Sequence, residues 1–144
     1  MPIRELDAVD TSLAHEAMRE LRPHVADPDA FVALVNERLR PQGYRLVVSV
    51  DDDGTVAAAM GVRRGDSLAW GDHLYVDDLV TLPAQRGRGH ARALLDWAQA
   101  EAERLGCDQL HLDSAPHRHD AHRLYLSWGM HISGFHFASA VGPS

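Results

Sequence analysis

Two glycines and three arginines lie where an apolar strand is predicted to give way to an amphipathic helix. The first amides of a helix have no intrahelical partner, and they attract anions. Gly87 and Gly89 lack a Cβ, so an anion can come close to the backbone there. Arg86, Arg88 and Arg92 add positive charge. The pattern predicts an anion-binding turn, with an ordinary glycine-containing surface turn as the alternative.

This turn differs from the phosphate-binding motifs of nucleotide-binding proteins. It is not Gly-x-Gly-x-x-Gly, and it lacks the Lys-Ser or Lys-Thr pair of a nucleotide P-loop. These departures count against a dinucleotide or a nucleoside triphosphate as the ligand.

Two adjacent carboxylates, Asp77 and Asp78, interrupt the apolar strand that precedes the turn. A buried and unpaired charge is costly, so we expect one or both to face a polar cleft. Strand alternation by itself would point them to opposite faces of the sheet. An ion pair with a buried arginine is the alternative for either residue.

Several histidines lie close together in the second half of the chain. His117, His119 and His122 follow His111 and Asp113, and imidazole with carboxylate suits zinc. No His-Glu-x-x-His motif is present, and the three clustered histidines lack the spacing of one helix face. A histidine-based metal site is therefore a minor alternative.

The rest of the sequence predicts a mixed α/β domain. Thr11 or Ser12 is expected to cap a first helix, and Asp27 caps a second helix with Pro28 in its first turn. An Asp-Gly pair, Asp53-Gly54, predicts a hairpin. We expect strands at residues 3–6, 44–50, 56–62, 74–82 and 109–113, helices from residues 11–12 to near 23, from 27 onwards, at 87–105 and at 120–128, and an extended segment at 130–138.

Composition restricts the class of protein. A chain of 144 residues with 45% hydrophobic residues suits one domain, which we expect to span residues 1–144. A net charge of -7 disfavours nucleic acid and anionic membranes as partners. The first twenty residues lack a long apolar run, so we expect a cytoplasmic protein. The single cysteine, Cys107, is expected to be a partly buried structural thiol between a helix and a strand.

The glycine turn resembles the Gln/Arg-x-x-Gly-x-Gly/Ala signature of the GNAT superfamily of N-acetyltransferases, which Arg86, Gly89 and Ala91 satisfy. The resemblance implies that the turn holds the pyrophosphate of coenzyme A and that the preceding strand pairs with the pantetheine arm. The implied coenzyme-binding residues are Leu79, Val80, Thr81, Arg86, Gly87, Arg88, Gly89, His90, Ala91 and Arg92.

A downstream segment is similar to the family's Ala-x-x-x-Tyr-x-x-x-Gly pattern, with Ala121, Tyr125 and Gly129 in register. In the family this tyrosine lies beside the coenzyme sulfur, which implies that Tyr125 protonates the departing thiolate. A phenol with a pKa of ~10 remains protonated where a thiol with a pKa of ~8.5 begins to ionise. A core tyrosine is the alternative. Arg118 stands where many members have asparagine.

The resemblance also implies the fold and the acceptor site. The sheet would be mixed and mostly antiparallel, flanked by helices, splayed near Val80, with a bulge in the strand of Asp77 and Asp78. One or both carboxylates would bind or deprotonate the incoming amine. His122 and His136 are alternative residues for the amine pocket.

The implied activity is transfer of an acetyl group from acetyl-CoA to a primary amine, directly and within a ternary complex. The acceptor would be a small-molecule or peptide amine, and homodimerisation is left open. Two functions of other classes also stay open. One is a catalytically silent acyl-CoA-binding sensor, and the other is a histidine-based metal protein.

Overall fold

The computed structural model describes residues 2–143. Its contacts divide the chain after Leu112, and the larger first unit holds the sheet. The strands are β1 (Ile3–Leu6), β2 (Arg45–Val50), β3 (Val56–Ser67), β4 (Gly71–Thr81) and β5 (Gln109–Leu112), and the α-helices are α1 (His15–Leu21), α2 (Pro28–Ala33), α3 (His90–Leu105) and α4 (His119–Trp128). Short 3-10 turns cover Thr11–Ala14, Pro23–Val25, Arg40–Gln42 and Pro83–Gln85, and a π-helical segment, Leu34–Leu39, continues α2.

The described strands form one sheet in the order β1-β2-β3-β4-β5. Strands β1 to β4 pair antiparallel with one another in chain order, and β5 runs parallel to β4. A parallel pair requires a long crossover, which α3 supplies. The predicted mixed, mostly antiparallel sheet is confirmed.

The β2–β3 hairpin forms where the Asp-Gly pair predicted it. The Asp51 carboxylate accepts hydrogen bonds from the amides of Asp53 at 2.9 Å and Thr55 at 3.0 Å. Gly54 takes a positive φ of 81°, which glycine adopts without steric cost. Local turn chemistry therefore determines this connection.

The β3–β4 hairpin is longer than predicted. The sequence predicted strands at residues 56–62 and 74–82, whereas β3 continues to Ser67 and β4 begins at Gly71. The added residues are polar and glycine-containing, so their composition indicates a loop. Cross-strand pairing overrides that preference, and a salt bridge joins Arg64 of β3 to Asp72 of β4.

The first two helices begin differently from each other. The prediction that Thr11 or Ser12 caps α1 is wrong, because a 3-10 turn comes first and the Thr11 hydroxyl donates to Asn36 Oδ1 at 2.6 Å. The hydroxyl oxygen, which a cap would use as an acceptor, accepts instead from Arg40 Nη2 at 2.9 Å. The prediction for α2 is confirmed, since Asp27 Oδ2 accepts the amide of Ala30 at 3.1 Å.

Apolar side chains cover both sides of the sheet. Alternate residues of β2 separate the two sides, because Ser49 and Arg45 bond to α3 whereas Leu46 and Val48 pack with α1 and α2. The buried cluster under α1 and α2 comprises Leu6, Ala14, Ala17, Met18, Phe31, Val35, Tyr44, Leu46, Val48, Ala59 and Val80. Leu94, Leu95 and Ala98 of α3 are fully buried.

The third helix begins three residues later than predicted, at His90 instead of residue 87. Gly87 and Gly89 have positive φ angles of 78° and 90°, which exclude them from a right-handed helix. The helix ends at Leu105 as predicted, with Gly106 at a left-handed φ of 78°.

The second unit, beginning at Asp113, contains α4. This helix starts one residue before the predicted 120–128 segment and ends at Trp128, with Gly129 as its C-cap at a φ of 119°. No described strand covers the extended segment predicted at residues 130–138, where Ile132, Phe135 and Phe137 are exposed. Strand formation needs a pairing partner as well as a suitable sequence. Among the described helices, none is long and apolar enough to cross a membrane.

Candidate active site

The fourth strand is paired on both sides over only part of its length. Pairing with β5 runs from His73 to Val76, whereas pairing with β3 continues to Thr81. Within the described residues, the backbone from Asp77 to Thr81 therefore has a strand partner on one side only. This is the splay that the resemblance implied, and it exposes the backbone edge of Leu79, Val80 and Thr81 while the side chains of Leu79 and Val80 stay buried.

The glycine turn follows this one-sided strand after a short 3-10 turn, Pro83–Gln85. Gly89 is the N-cap of α3, and no side chain of the described residues caps the helix. The first turn of α3 contains no acidic residue, and a Cβ placed on Gly87 would meet no atom within 4 Å. The open approach and the helix dipole both favour an anion at these amides.

The arginines of the turn lie at the surface. Arg86, Arg88 and Arg92 are all exposed, and Arg88 Nη1 donates to Gln85 Oε1 at 3.2 Å. Gln85 Nε2 donates in turn to Asp51 Oδ2 at 3.0 Å, which ties the turn to the β2–β3 hairpin. The turn thus presents positive charge around an anchored backbone.

The His90 side chain does not face the turn's open approach. It is buried, and its Nδ1 lies 2.7 Å from Ser49 Oγ of β2. Burial lowers the pKa of His90, so the imidazole is neutral at neutral pH. Of the two groups that His90 offers, the backbone amide is therefore the one available to an anion, while the ring anchors α3.

A bulge lies in β4 at the two carboxylates. Gly61 of β3 is opposite Asp78 and Val62 is opposite Val76, so Asp77 is the extra residue. A bulge re-aims side chains that simple alternation would separate. The partners of Asp77 and Asp78 place both carboxylates on the α1 side of the sheet.

Both carboxylates have arginine partners. Asp77 accepts from Arg63 Nε at 2.6 Å and Nη2 at 2.8 Å. Asp78 accepts from Arg22 Nε at 3.0 Å, and Arg22 Nη2 also donates to the Asp77 carbonyl at 3.2 Å. The side chains of Asp77 and Asp78 are 22% and 16% exposed, and those of the two arginines are 47% and 45% exposed. The alternative interpretation, an ion pair, is therefore present, but the arginines lie at the surface.

Sequence reasoning missed Tyr44, whose hydroxyl donates to Asp78 Oδ2 at 2.9 Å. Burial, reinforced by the negative charge of Asp78, raises the pKa of Tyr44 well above its ordinary value. The phenol therefore keeps its proton and orients the carboxylate. A Cβ on Gly61 would lie 1.9 Å from the Tyr44 hydroxyl oxygen, so the ring needs glycine there. A glycine inside an apolar strand is a signal of such close approach.

Tyr125 is buried on α4, in the second unit. Burial raises its pKa, against a smaller opposing effect of the positive Arg118. The phenol is therefore protonated at neutral pH, as a proton donor must be. Arg118 is the residue before α4, and its amide donates to the Ala115 carbonyl at 3.1 Å.

The histidines His111, His122 and His136 each lie close to an oxygen atom of the protein. His122 Nε2 lies 2.9 Å from the Ala115 carbonyl oxygen, and His136 Nδ1 lies 3.4 Å from Asp113 Oδ2. His111 Nε2 lies 2.6 Å from Gln109 Oε1. In residues 2–143, no group of three or more His, Cys, Asp or Glu side chains is arranged to hold a metal ion. The histidine-based metal hypothesis therefore gains no support.

The chain belongs to the acetyltransferase (GNAT) family, whose model matches residues 11–130. That stretch includes the one-sided end of β4, the glycine turn, α3 and α4. The class of protein defined by this fold and site is therefore a GNAT acetyltransferase.

Relatives with known names agree with this family. An aminoalkylphosphonate N-acetyltransferase of Salmonella typhimurium is 39% identical over 132 residues, with 80% of this chain and 86% of the relative covered. An uncharacterized N-acetyltransferase, YhdJ, of Bacillus subtilis is 29% identical over 129 residues, with 89% of each chain covered.

A solved structure shares the fold. An aminoglycoside N-acetyltransferase in complex with CoA superposes with a TM-score of 0.81 at 17% identity, covering 99% of this chain and 95% of its own. At that identity the likeness concerns the fold.

Proposed function

We propose that this protein transfers the acetyl group of acetyl-CoA to a primary amine, directly and within a ternary complex, in one domain spanning residues 1–144. One observation carries the proposal: the start of α3, which no side chain caps, follows the part of β4 that is paired on one side only, across the turn at residues 82–89. Such a junction offers an anion site and a free strand edge in sequence, which together suit a pyrophosphate joined to an extended amide-containing arm.

The coenzyme is proposed to bind along this junction. The amides of Gly87, Arg88, Gly89, His90 and Ala91 would hold the pyrophosphate, with Arg86, Arg88 and Arg92 adding positive charge. The backbone of Leu79, Val80 and Thr81 would pair with the pantetheine arm as an added strand does. When bound, acetyl-CoA supplies an activated thioester. Amides of the same β4 residues would polarise the thioester carbonyl.

The acceptor amine is proposed to meet the carboxylates at the bulge. Asp77 or Asp78 would bind the ammonium and take its proton, directly or through water. Arg22 and Tyr44 hold the Asp78 carboxylate in one orientation, which keeps an oxygen lone pair in a defined direction. Tyr125 is proposed to protonate the departing thiolate, since its phenol is protonated at neutral pH.

The acceptor class is proposed to be small-molecule amines. The Salmonella relative is named for aminoalkylphosphonates, and the structural neighbour is named for aminoglycosides. Both names denote small molecules with primary amines. A small molecule with a primary amine is therefore the proposed acceptor of this chain as well.

The test is release of free thiol from acetyl-CoA across a panel of amines. The panel contains aminoalkylphosphonates, amino acids, aminoglycosides and a peptide with a free N-terminus, and mass spectrometry identifies the acetylated product. Turnover with a small amine is the expected result. Tight acetyl-CoA binding without turnover on any amine would replace the transferase by a silent acyl-CoA sensor, and turnover on the peptide alone would change the acceptor class.

A further inference from the structure

We propose that the acceptor site selects amines that also carry an anionic group, with Arg22 and Arg63 binding the anion. The ligand class is a short aminoalkyl acid whose acid is a carboxylate, phosphate or phosphonate. This inference rests on the proposed acetyl transfer and adds to it a role for the two arginines, which would determine acceptor specificity. The observation behind it is the alternation of two carboxylates and two arginines around the β4 bulge.

Each arginine has only part of its donor edge occupied. Arg63 uses Nε and Nη2 on the Asp77 carboxylate, and Arg22 uses Nε on Asp78 and Nη2 on the Asp77 carbonyl. In residues 2–143, Nη1 of neither guanidinium has a hydrogen-bond partner. Nearly half of each side chain is exposed. The outer edges therefore remain able to donate to a ligand anion.

The two guanidinium groups are held in place before a ligand arrives. Arg22 bonds to the carbonyl of Asp77 and Arg63 bonds to its carboxylate, so both are tied to the same residue, and Arg63 also lies over the Tyr75 ring at 5.9 Å. The amide of Arg22 donates to the Met18 carbonyl at 2.8 Å, which fixes its backbone at the end of α1. A fixed arginine loses less conformational entropy on binding a carboxylate or phosphonate.

Charge balance favours a zwitterionic acceptor over a simple amine. An ammonium group alone would compete with Arg22 and Arg63 for the carboxylates of Asp77 and Asp78. An aminoalkyl acid places its ammonium near the carboxylates and its anion near the outer guanidinium edges. Every charge then keeps an opposite neighbour, which is how charged sites discriminate between ligands.

The neighbouring Arg64 provides a matched control. Its side chain is 46% exposed and makes a bidentate pair with Asp72 at 2.9 Å and 2.6 Å, much as Arg63 does with Asp77. However, its Nη2 also donates to the Leu105 carbonyl at 3.0 Å, at the end of α3. Arg64 thus contacts the other side of the sheet, away from the bulge carboxylates.

The experiment compares acceptors that differ only in the anion. Acetylation of 2-aminoethylphosphonate and 3-aminopropionate is measured beside acetylation of neutral ethanolamine, by thiol release at saturating acetyl-CoA. We expect kcat/KM for the anionic acceptors to exceed that for ethanolamine by about tenfold or more, since a hydrogen bond to a charged group has that effect. The preferred acid, phosphonate or carboxylate, identifies the anion.

Substitutions then assign the preference to residues. Arg22→Gln and Arg63→Gln should each lower the ratio of kcat/KM between anionic and neutral acceptors by about tenfold, through KM. Arg63→Lys should keep part of the ratio, and Arg64→Gln should keep all of it. A loss of folded enzyme lowers kcat/KM for both kinds of acceptor equally. The ratio therefore remains informative for a less stable variant.

Calorimetric titration with 2-aminoethylphosphonate separates the two proposals. Absence of thiol release would contradict acetyl transfer, while weaker binding to Arg22→Gln and Arg63→Gln than to Arg64→Gln would still support the anion site. Equal ratios for anionic and neutral acceptors in the wild-type protein would overturn the inference. So would an equal loss of the ratio in Arg63→Gln and Arg64→Gln.

Discussion

Strand β4 and helix α3 together have two ends, and similar polar groups lie at each of them in different surroundings. At what we call the closed end, formed by Asp72, Arg64, Leu105 and Cys107, β4 has β3 on one side and β5 on the other. Arg64 bonds both the Asp72 carboxylate and the Leu105 carbonyl, so the negative end of the α3 dipole meets a cation. The polar groups named here are satisfied by the protein itself.

Cys107 belongs to this closed end. Its Sγ lies 3.6 Å from Asp72 Oδ1, and burial raises the pKa of the thiol, with the nearby Asp72 charge adding to the effect. The thiol is therefore protonated at neutral pH and a poor nucleophile. This agrees with the predicted structural role.

The open end, formed by residues 77–81 and 87–89, lacks this closure. Its strand is paired on one side only, its helix start is capped by a glycine without a side chain, and its carboxylates bond to half-exposed arginines. Bidentate Arg–Asp pairs occur at both ends. The two ends therefore differ in strand pairing and helix polarity, and not in the presence of an ion pair.

The largest expected effect on coenzyme binding comes from adding a carboxylate to the open end. Gly89→Glu should weaken acetyl-CoA binding by at least about 100-fold, because the side chain fills the approach and repels an anion. Calorimetry measures the affinity. Gly106→Glu is the matched control, since Gly106 has a similar positive φ at the other end of α3 and should leave the affinity unchanged. Unchanged affinity in a folded Gly89→Glu protein would place the coenzyme elsewhere.

A second prediction tests proton donation by Tyr125 separately from coenzyme binding by the backbone of the open end. Tyr125→Phe should lower kcat by about 10²–10⁴-fold or somewhat less, because the ring is kept and the proton donor is lost. Folding and acetyl-CoA affinity should survive. The loss should shrink with activated thioesters, which need less protonation. A kcat within about twofold of the wild-type value would leave Tyr125 a packing residue.

A third prediction compares the carboxylates of the two ends. Asp77→Asn or Asp78→Asn should lower turnover or raise the amine KM, by about 100-fold for the residue that takes the proton. Acetyl-CoA affinity should change little. Asp72→Asn, at the closed end, should keep kcat/KM. Full activity in both open-end variants across the pH range would assign proton removal to water or a histidine.

The smallest expected effect on activity concerns Glu101, a buried residue of α3 that bonds to Arg104 and Arg45. Hydrogen bonds from these two arginines lower its pKa from 4.5 to about 2. Because the folded-state pKa is depressed, this stabilisation is present above pH 4.5 and is lost as the pH falls from 4.5 towards 2.

Thermal unfolding across that pH interval tests Glu101. The wild-type Tm should exceed that of Glu101→Gln at neutral pH, and the gap should narrow as the pH falls through the interval. Acetyl-transfer activity near pH 7 should be the same in both proteins. A Tm gap that does not depend on pH would mean that packing, and not charge, makes Glu101 stabilising.

Local features could be predicted well from the sequence. The Asp27 cap, the hairpin at Gly54, the end of α3 at Gly106 and the partly buried Cys107 all agree with the structure. Each depends on residues within a few positions of each other. The failed cap prediction at Thr11 concerns a side chain whose partner, Asn36, is distant in the sequence.

What the sequence by itself determined is the turn chemistry of the proposed coenzyme site, because two glycines, a helix start and nearby arginines act through local geometry. What only the tertiary structure decided is the direction of Asp77 and Asp78. The register of β3 against β4 places the bulge, and Gly61 admits the Tyr44 ring beside Asp78. Arg22, at the end of α1, completes the cluster by donating to the Asp78 carboxylate. Register and long-range partners depend on the packing of the whole sheet, which no local pattern specifies.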